Sequence, residues 1–229
     1  MATRTTLEPE DGTPSSGPEL LTLCIPQHSP LDLSIKRAID IVGSLFFLVL
    51  VLPLFPIIAV AICLTSSGPI FFKPRIIGYK GREFWAYKFR TMYRDAFERL
   101  LNDPRLLAQY KTNLKIVDDP RVTRFGRILR RTSLDELPQL INVLKGDMSL
   151  VGPRMLAKLE LDKFGPLRDK ILSMRPGMAG LWVASGRQTV SFERRMELEL
   201  QYIDKWSLGL DAKCFVRTVF IALRMVGAH

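Results

Sequence analysis

The chain has 229 residues, 47% of them hydrophobic, which is enough to bury a core in one domain or two small ones. Its formal net charge of +10 predicts a negatively charged partner, whether nucleic acid, anionic lipid or phosphorylated small molecules. The cysteines, Cys24, Cys63 and Cys214, fit neither a zinc site nor an even disulfide framework, which favours a reducing compartment. Because His28 and His229 are the only histidines, any acid, base or nucleophile is expected to be a carboxylate.

The N-terminal residues 1–30 are rich in Thr, Ser, Pro, Glu and Gly without sustained periodicity, which is typical of a disordered tail. They lack a basic segment followed by an apolar run, so no signal peptide is predicted. The next region, residues 31–66, contains the uncharged stretch IVGSLFFLVLVLPLFPIIAVAICL at 41–64. As one straight helix it would extend roughly 36 Å, so we expect it to enter a membrane.

The path of this apolar stretch has two interpretations. Pro53 and Pro56 lie near its middle, where each removes a backbone donor, so the helix should break or bend there. Lysines and arginines at 36–37 and 73–75 flank both ends, which favours keeping both ends in the cytoplasm. A helix that breaks in mid-bilayer and returns fits both observations, whereas one kinked span with the tail outside fits the hydropathy alone.

Residues 67–229 predict a helix-rich α/β domain with a small sheet. Two short strands are expected around the turn at residues 78–81. Residues 94–113 have the pattern of an amphipathic helix broken by Asn-Asp-Pro at 102–104. A helix over 121–131 would gather five arginines on one face, which would bind phosphate, contact anionic lipid or face solvent. These arginines are Arg121, Arg124, Arg127, Arg130 and Arg131.

The C-terminal stretch, residues 192–225, also has helical patterns. Its last helix is apolar with basic residues spaced along it, and two placements are open: lying in the membrane interface or packing in the core. Trp206 is predicted at the level of the lipid headgroups.

The stretch RRTSLDELPQLINVLKGDMSLVGPR, residues 130–154, places Asp135 and Glu136 side by side. The apolar pattern after them predicts a helix that ends at Gly146. Asp135 as the N-cap would put Pro138 in the first turn, whereas a capping box that starts at Ser133 would cost a backbone bond at Pro138. One interpretation is therefore that the two carboxylates only cap a helix and complement its dipole.

The other interpretation of the Asp-Glu pair is catalytic. Neighbouring helical residues point about 100° apart, so Asp135 and Glu136 can serve different purposes, one facing a substrate and the other a metal or a supporting group. Arg130, Arg131 and Arg154 flank the pair, and a carboxylate among cations is expected to stay ionised at neutral pH. An ionised carboxylate beside phosphate-binding arginines suits nucleophilic attack on phosphorus.

Several ordered motifs carry a family resemblance: YKFRTM at 87–92, the long stretch from DDPRVTRFGR to LVGPR at 118–154, RPGMAGLW at 175–182 and SGR at 185–187. Together they closely resemble the bacterial sugar transferase family, the monotopic phosphoglycosyl transferases, over roughly residues 33–229. The chain is most similar to the small members that consist of the catalytic unit alone. We therefore expect no multi-span N-terminal domain of the kind that the large members carry.

The resemblance implies transfer of a sugar 1-phosphate from a UDP-sugar to undecaprenyl phosphate, with release of UMP, at the cytoplasmic face of the bacterial inner membrane. It implies that Asp135 attacks the β-phosphate to give a covalent phosphosugar intermediate, with Glu136 as its partner. Mg²⁺ is the implied cofactor and would lie against Asp135, with few other protein ligands because Mg²⁺ prefers oxygen ligands and substrate phosphates. The residues predicted to bind the diphosphate and the lipid phosphate are Lys88, Arg130, Arg154 and Arg175.

The resemblance further implies that the broken helix enters the inner leaflet and returns to the same side, with Pro53 and Pro56 as its breaking residues. The sequence departs from the family pattern at Leu52 and Met155, which stand where the family usually has Ser and Pro. It departs again at Val183, in place of a glutamine, which puts a sugar or nucleotide contact there in doubt. The SGR stretch and YIDKWSL at 202–208 resemble the hexose-transferring members, which favours galactose or glucose.

Two rival functions need different features. A non-catalytic basic module that binds a membrane surface would need the charge and the apolar stretch but not an ionised Asp-Glu pair. A nucleic-acid binder is not expected, because no reader motif appears and the apolar stretch would have no role. The downstream polymer and the number of copies in the assembly, a homo-oligomer included, are left open by one sequence.

Overall fold

The structure is a computed structural model that describes residues 25–113, 116, 118–185 and 191–224. Its helices are α1 (Pro30–Val51), α2 (Leu54–Thr65), α3 (Ala96–Asn102), α4 (Pro104–Asn113), α5 (Arg124–Thr132), α6 (Gln139–Lys145), α7 (Lys158–Asp162), α8 (Arg168–Ile171), α9 (Leu181–Ala184), α10 (Phe192–Asp204) and α11 (Leu208–Arg224). Its strands are β1 (Phe71–Phe72), β2 (Arg75–Ile77), β3 (Glu83–Trp85), β4 (Lys88–Phe89), β5 (Ser149–Val151) and β6 (Gly177–Ala179). Short 3₁₀ segments cover Tyr79–Gly81, Leu134–Glu136 and Gly165–Leu167.

The described part of the chain is helix-rich with little sheet, as the sequence predicts, but the expected single small sheet is three separate pairs of strands. β2 and β3 form the predicted antiparallel hairpin, and β1 pairs with β4 antiparallel. β5 and β6 pair in parallel, with Ser149 opposite Gly177 and Val151 opposite Ala179. The main core lies between β2, β3, β5 and β6 and the helices α6, α10 and α11, and its fully buried side chains include Val143, Leu161 and Tyr202.

The apolar stretch forms α1 and α2, whose axes differ by 60°. The predicted break at Pro53 is confirmed, because α1 ends at Val51 and α2 begins directly after the proline. Pro56 does not break the helix, because it lies in the first turn of α2, where a missing N–H costs no helical hydrogen bond. Within the described residues no single helix is long and apolar enough to cross a membrane, but the bent pair together is, either as a broken span or as a re-entrant loop.

α1 has its polarity inverted relative to a helix on the surface of a soluble protein. Lys36, Asp40 and Ser44, about one turn apart, are its buried residues. The Lys36 ammonium contacts Asp211 of α11 and donates to the Val151 carbonyl at 2.8 Å, whereas Asp40 accepts from the Leu150 amide at 2.8 Å. The exposed residues of α1 include Ile39, Val42, Leu45, Phe46, Val49 and Leu50. A polar face against protein and an apolar face outward is the arrangement expected of a helix that contacts lipid.

The predicted amphipathic segment 94–113 forms α3 and α4, which are separated at Asp103 as expected. The prediction of one arginine face over 121–131 is wrong in two places. The helix begins only at Arg124, capped by Thr123, and Arg121 lies before it, buried in an ion pair with Asp119 at 2.7 Å. Arg130 also turns inward, because its Nε donates to Thr91 at 2.9 Å. The remaining members of the set, Arg124, Arg127 and Arg131, are exposed.

α6 ends as predicted and begins later than predicted. Gly146 has a left-handed φ of 87° and caps the helix through bonds to the Asn142 and Val143 carbonyls. The start is at Gln139, because Ser133 takes a left-handed conformation and Leu134–Glu136 forms a 3₁₀ turn. Neither Ser133 nor Asp135 makes a side-chain cap there, so the capping interpretation of the Asp-Glu pair is not supported.

The C-terminal helices correct the expectation for Trp206. Its indole is 8% exposed, donates to Asp211 at 3.2 Å and packs edge-on against His28, so it belongs to the core and not to a headgroup layer. α11 combines both placements considered for it: Cys214 is buried in the core, whereas Val216, Val219 and Phe220 are exposed. The predicted disordered tail falls largely on residues 1–24, which lie outside the described residues, as does the end of the SGR stretch.

Candidate active site

Strand β4 connects the end of α2 to the Asp-Glu pair. Lys88 Nζ lies 2.6 Å from Glu136 Oε1, an ion pair in which the two side chains are 21% and 30% exposed. Two residues later, the buried Arg90 guanidinium donates to the Ser66 and Ser67 carbonyls at 2.6 and 2.8 Å, directly after α2. Residues 88–90 therefore fix the position of the segment that contains Asp135 and Glu136 relative to helices α1 and α2.

α5 supplies the second cation next to the pair. Gly126 allows α5 to pack closely, because a β-carbon at this position would overlap the Thr91 carbonyl oxygen. One turn further on, the Thr91 hydroxyl accepts from Arg130 Nε at 2.9 Å. The charges of Asp135 and Glu136 act on Arg130, as does that of Asp119. Arg130 is thus held by a neutral hydroxyl beside the carboxylates.

Asp135 is buried, with 8% of the residue exposed. Burial raises its pKa to about 7, the neighbouring Glu136 charge adds to the rise, and Lys88 and Arg130 oppose it. Burial thus outweighs the neighbouring cations in the protein alone, contrary to the expectation that they keep this carboxylate ionised. A buried carboxyl poised near the working pH is a common property of catalytic groups.

The structure brings together four of the predicted site residues: Lys88, Arg130, Asp135 and Glu136. Arg154 lies instead with its guanidinium 4.6 Å from the ring centroid of Trp182, while its backbone amide donates to the buried Glu199 at 3.0 Å.

Arg175 lies elsewhere, stacked on Tyr79 and donating from Nε to the Gly146 carbonyl at 2.9 Å. The contacts that the structure shows for these two arginines are thus with groups other than the Asp-Glu pair.

Several residues of the site were not singled out from the sequence. Arg90 and Thr91 belong to the YKFRTM motif, which could have indicated them. Asp119 precedes α5 in a buried ion pair at 2.7 Å with Arg121, which the sequence had placed on an arginine face instead. Gln139 stands about one helical turn after Asp135 and is fully buried, and neither atom of its side-chain amide has a hydrogen-bond partner among the residues that the structure describes. No pattern in the sequence marks Gln139 as different from an ordinary helix residue.

The positions that depart from the family pattern are accommodated in different ways. Met155 is 9% exposed within the core, and the loop before it is held by a 2.8 Å bond from the Gly177 amide to the Pro153 carbonyl. Val183 is half-buried in α9, and Leu52 is exposed at the break between α1 and α2.

The groups around Asp135 that could hold a divalent cation are two carboxyl groups, those of Asp135 and Glu136. Among the described residues no three His, Cys, Asp or Glu side chains group to hold a metal ion. Asp135 and Glu136 nevertheless place two carboxyl groups close enough for the charge of Glu136 to act on Asp135. Such a pair fits Mg²⁺, which commonly takes one or two carboxylates and completes its shell with water and substrate phosphates.

Comparison with known proteins shows the family of the chain. The sequence model of the family described as bacterial sugar transferase matches residues 31–225. The chain belongs to the bacterial sugar transferase family.

Among its relatives, the undecaprenyl-phosphate galactose phosphotransferase of Salmonella typhimurium is 40% identical over 85% of this chain and 42% of its own length. The exopolysaccharide production protein ExoY of Sinorhizobium fredii is 37% identical over 85% of this chain and 90% of its own length. The UDP-glucose:undecaprenyl-phosphate glucose-1-phosphate transferase of Escherichia coli is 37% identical over 81% of this chain and 39% of its own length. The chain thus spans less than half of the relatives named for galactose and glucose.

Proposed function

We propose that the protein transfers hexose 1-phosphate, with galactose or glucose as the hexose, from a UDP-sugar to undecaprenyl phosphate and releases UMP. This reaction would be the first membrane step in the synthesis of an exopolysaccharide or related glycan. The observation that carries the proposal is the buried Asp135 carboxyl beside the Lys88–Glu136 ion pair and Arg130. The names of the relatives, which specify galactose, glucose and undecaprenyl phosphate, support the choice of substrates.

In the proposed first step, an ionised Asp135 oxygen attacks the β-phosphorus of the UDP-sugar. A bond forms between the carboxylate oxygen and phosphorus, the bond from phosphorus to the bridging oxygen breaks, and UMP leaves with the bonding electrons. In the second step, a phosphate oxygen of the lipid attacks the same phosphorus. The Asp135 carboxylate leaves, and the product is undecaprenyl diphosphate hexose.

Lys88 and Arg130 are proposed to stabilise the negative charge that develops on the phosphoryl oxygens. Glu136 positions the Lys88 ammonium through the 2.6 Å ion pair, and Thr91 orients Arg130. Arg154 and Arg175, whose contacts lie elsewhere, are not assigned to this step. Mg²⁺, held by Asp135 with Glu136 nearby, would neutralise charge on the diphosphate when bound.

The membrane arrangement is also a proposal. Residues 31–66 would enter the cytoplasmic leaflet of the bacterial inner membrane and return, and residues 67–229 would form the catalytic domain on the cytoplasmic face. The 60° bend and the outward apolar face of α1 support this arrangement. Arg90, which binds the carbonyls after α2, would then hold the catalytic carboxyl next to the layer of lipid phosphates.

The test is release of UMP by the purified full chain in detergent or nanodiscs, given undecaprenyl phosphate, Mg²⁺ and, separately, UDP-galactose, UDP-glucose and UDP-N-acetylglucosamine. Release should require the lipid and the metal and occur with a hexose donor. Asp135→Asn, which removes the nucleophile at nearly constant size, should abolish it. The matched control is Asp162→Asn, at an exposed carboxylate, which should retain full activity.

Two results would change the proposal. Reaction with only the acetamido sugar would overturn the choice of hexose. No release with any sugar from folded protein, or full activity of Asp135→Asn, would favour a non-catalytic module that binds anionic membranes through exposed residues such as Arg124, Arg127 and Ile128.

A further inference from the structure

A concave region lies away from Asp135. It is a cleft of about 860 Å³ between the start of α1, the turn Tyr79–Gly81 and residues 168–175. We call it the Arg175 cleft, and the residues that matter here are His28, Arg37, Tyr79, Lys80, Arg168 and Arg175. Its volume is in the range of small-molecule binding sites.

The Arg175 cleft and the Asp135 site lie at opposite ends of α6. Asp135 precedes the helix, whereas Arg175 binds the carbonyl of Gly146, which ends it. The seven residues of α6 correspond to roughly 10 Å of helix. None of the residues that line the cleft belongs to the Lys88, Arg130, Asp135 and Glu136 cluster. The two regions are therefore separate sites.

The cleft is positively charged. Its lining includes five cationic side chains, Lys36, Arg37, Lys80, Arg168 and Arg175, and two acidic ones, Asp40 and Asp169. Lys36 is paired with Asp211, and the Asp40 carboxylate accepts from the Ser149 hydroxyl and the Leu150 amide. With those groups engaged, the remaining lining side chains carry an excess of positive charge, which favours an anionic occupant.

Two of these cations are held in place by backbone carbonyls. Arg37 donates to the Val143 and Leu144 carbonyls at 2.7 and 2.9 Å, and Arg175 donates to the Gly146 carbonyl at 2.9 Å. Bonds to backbone carbonyls orient a guanidinium group but do not cancel its charge. Because the side chains are already ordered, an incoming anion loses less free energy to their immobilisation.

The wall formed by residues 79–81 is also constrained. Lys80 has a left-handed φ of 54°, which is unusual for a residue with a side chain, and its amide donates to the Leu172 carbonyl at 2.9 Å. The Tyr79 ring lies under the Arg175 guanidinium at 5.2 Å. The lining also includes His28, whose buried Nε2 has no hydrogen-bond partner within the described part of the chain.

We propose that the Arg175 cleft binds a phosphate-bearing anion at a site distinct from the one at Asp135. The phosphate can belong to the headgroup of an anionic phospholipid, since α1 runs from the cleft into the proposed membrane region, or to a soluble phosphate compound. The proposal does not depend on the reaction at Asp135.

The test measures hydrogen–deuterium exchange of the full chain in phosphatidylcholine nanodiscs without divalent cations. In one arm inorganic pyrophosphate is titrated; in the other, phosphatidylglycerol replaces part of the phosphatidylcholine. Peptides over 77–82 and 166–176 report on the Arg175 cleft, and peptides over 86–92 and 128–139 report on the Asp135 site. The variant is Lys80→Gln with Arg168→Gln, and the control is Lys158→Gln with Lys205→Gln, at exposed lysines outside the cleft.

Saturable protection of the two cleft peptides is expected in at least one arm, and the arm identifies the source of the phosphate. The midpoint should rise at least about tenfold in the cleft variant and stay unchanged in the control. Absence of protection at the cleft in both arms, or equal midpoints in the cleft variant and the control, would overturn the proposal. Unchanged exchange of α6 and α10 in the variant shows that it is folded.

Discussion

The two ends of α6 use positive charge in opposite ways. At the start, a buried carboxyl is surrounded by Lys88 and Arg130, which reduce the cost of its ionisation only in part. At the end, Arg37 and Arg175 bind the carbonyls of the last turn and face a cleft. The carbonyl end of a helix attracts and orients cations through its own dipole, whereas the acidic start depends on side chains brought from β4 and α5.

This difference indicates which residues control reactivity and which control architecture. Changes around Asp135 should move the pH at which the protein becomes active, because each neighbouring charge acts on the same carboxyl. Changes at the Gly146 end should alter stability and leave that pH in place. The following predictions are ordered by the size of the expected effect.

Lys88→Met should have the largest effect among the charged neighbours. Loss of a cation beside the reacting phosphate is expected to lower kcat/KM about 100-fold. The midpoint of the pH profile should also move upward, because Lys88 lowers the pKa of Asp135. Initial rates of UMP release across about pH 5.5 to 9 measure both quantities. Lys145→Met, at an exposed lysine that bonds to Tyr87, is the control and should leave the midpoint unchanged.

Glu136→Gln should move the midpoint in the opposite direction. The Glu136 charge raises the pKa of Asp135, so its removal should let Asp135 ionise at lower pH. The maximal rate should fall about tenfold, since Lys88 loses the partner that positions it. The same profile of initial rates is the measurement. An upward or unchanged midpoint would show that Glu136 does not act electrostatically on Asp135.

Arg37→Met tests the other end of α6. Loss of its bonds to the Val143 and Leu144 carbonyls should lower the free energy of unfolding by about 1–3 kcal/mol. The pH midpoint of activity should be that of the unchanged protein. Thermal unfolding in detergent micelles checks the first expectation, with Arg99→Met, at an exposed arginine, as the control. A shifted midpoint would mean that the two ends of α6 are coupled.

Glu199→Gln concerns another buried carboxyl, which accepts from the Arg154 amide. Burial raises its pKa to about 7, so in the unchanged protein its contribution to stability is present at low pH and is lost as the pH rises towards 7. The glutamine has no charge to bury. Between about pH 5 and 8, Tm of the variant should therefore fall by roughly 5 °C less than Tm of the unchanged protein. A steeper fall in the variant would contradict the raised pKa.

Local patterns allowed some features to be predicted from the sequence. The end of α6 follows from Gly146, which adopts the left-handed conformation, and the break of the apolar stretch follows from Pro53, which lacks an N–H. The proximity of Lys88 to the Asp-Glu pair was implied by the family motifs and is present as the 2.6 Å ion pair.

The features that were predicted wrongly depend on contacts with residues distant in the chain or in other elements, which the spacing of residues in the sequence cannot show. Arg121 and Arg130 turn inward because Asp119 and Thr91 accept their hydrogen bonds. Trp206 is buried because Asp211 accepts its indole N–H in the core. The raised pKa of Asp135 also escaped prediction, since neighbouring arginines are visible in a sequence but the extent of burial is not.

The central claim is that Asp135 forms a covalent intermediate. The most direct measurement is the intact mass of the full chain after brief mixing with Mg²⁺ and the reactive UDP-hexose in the absence of undecaprenyl phosphate. The protein should gain the mass of one hexose phosphate with release of one equivalent of UMP, lose it when the lipid phosphate is added, and show no gain as Asp135→Asn. The contrary result is that UMP is released only when both substrates are present and that no adduct forms at any time. This would mean direct transfer between the substrates and would contradict the proposed role of Asp135.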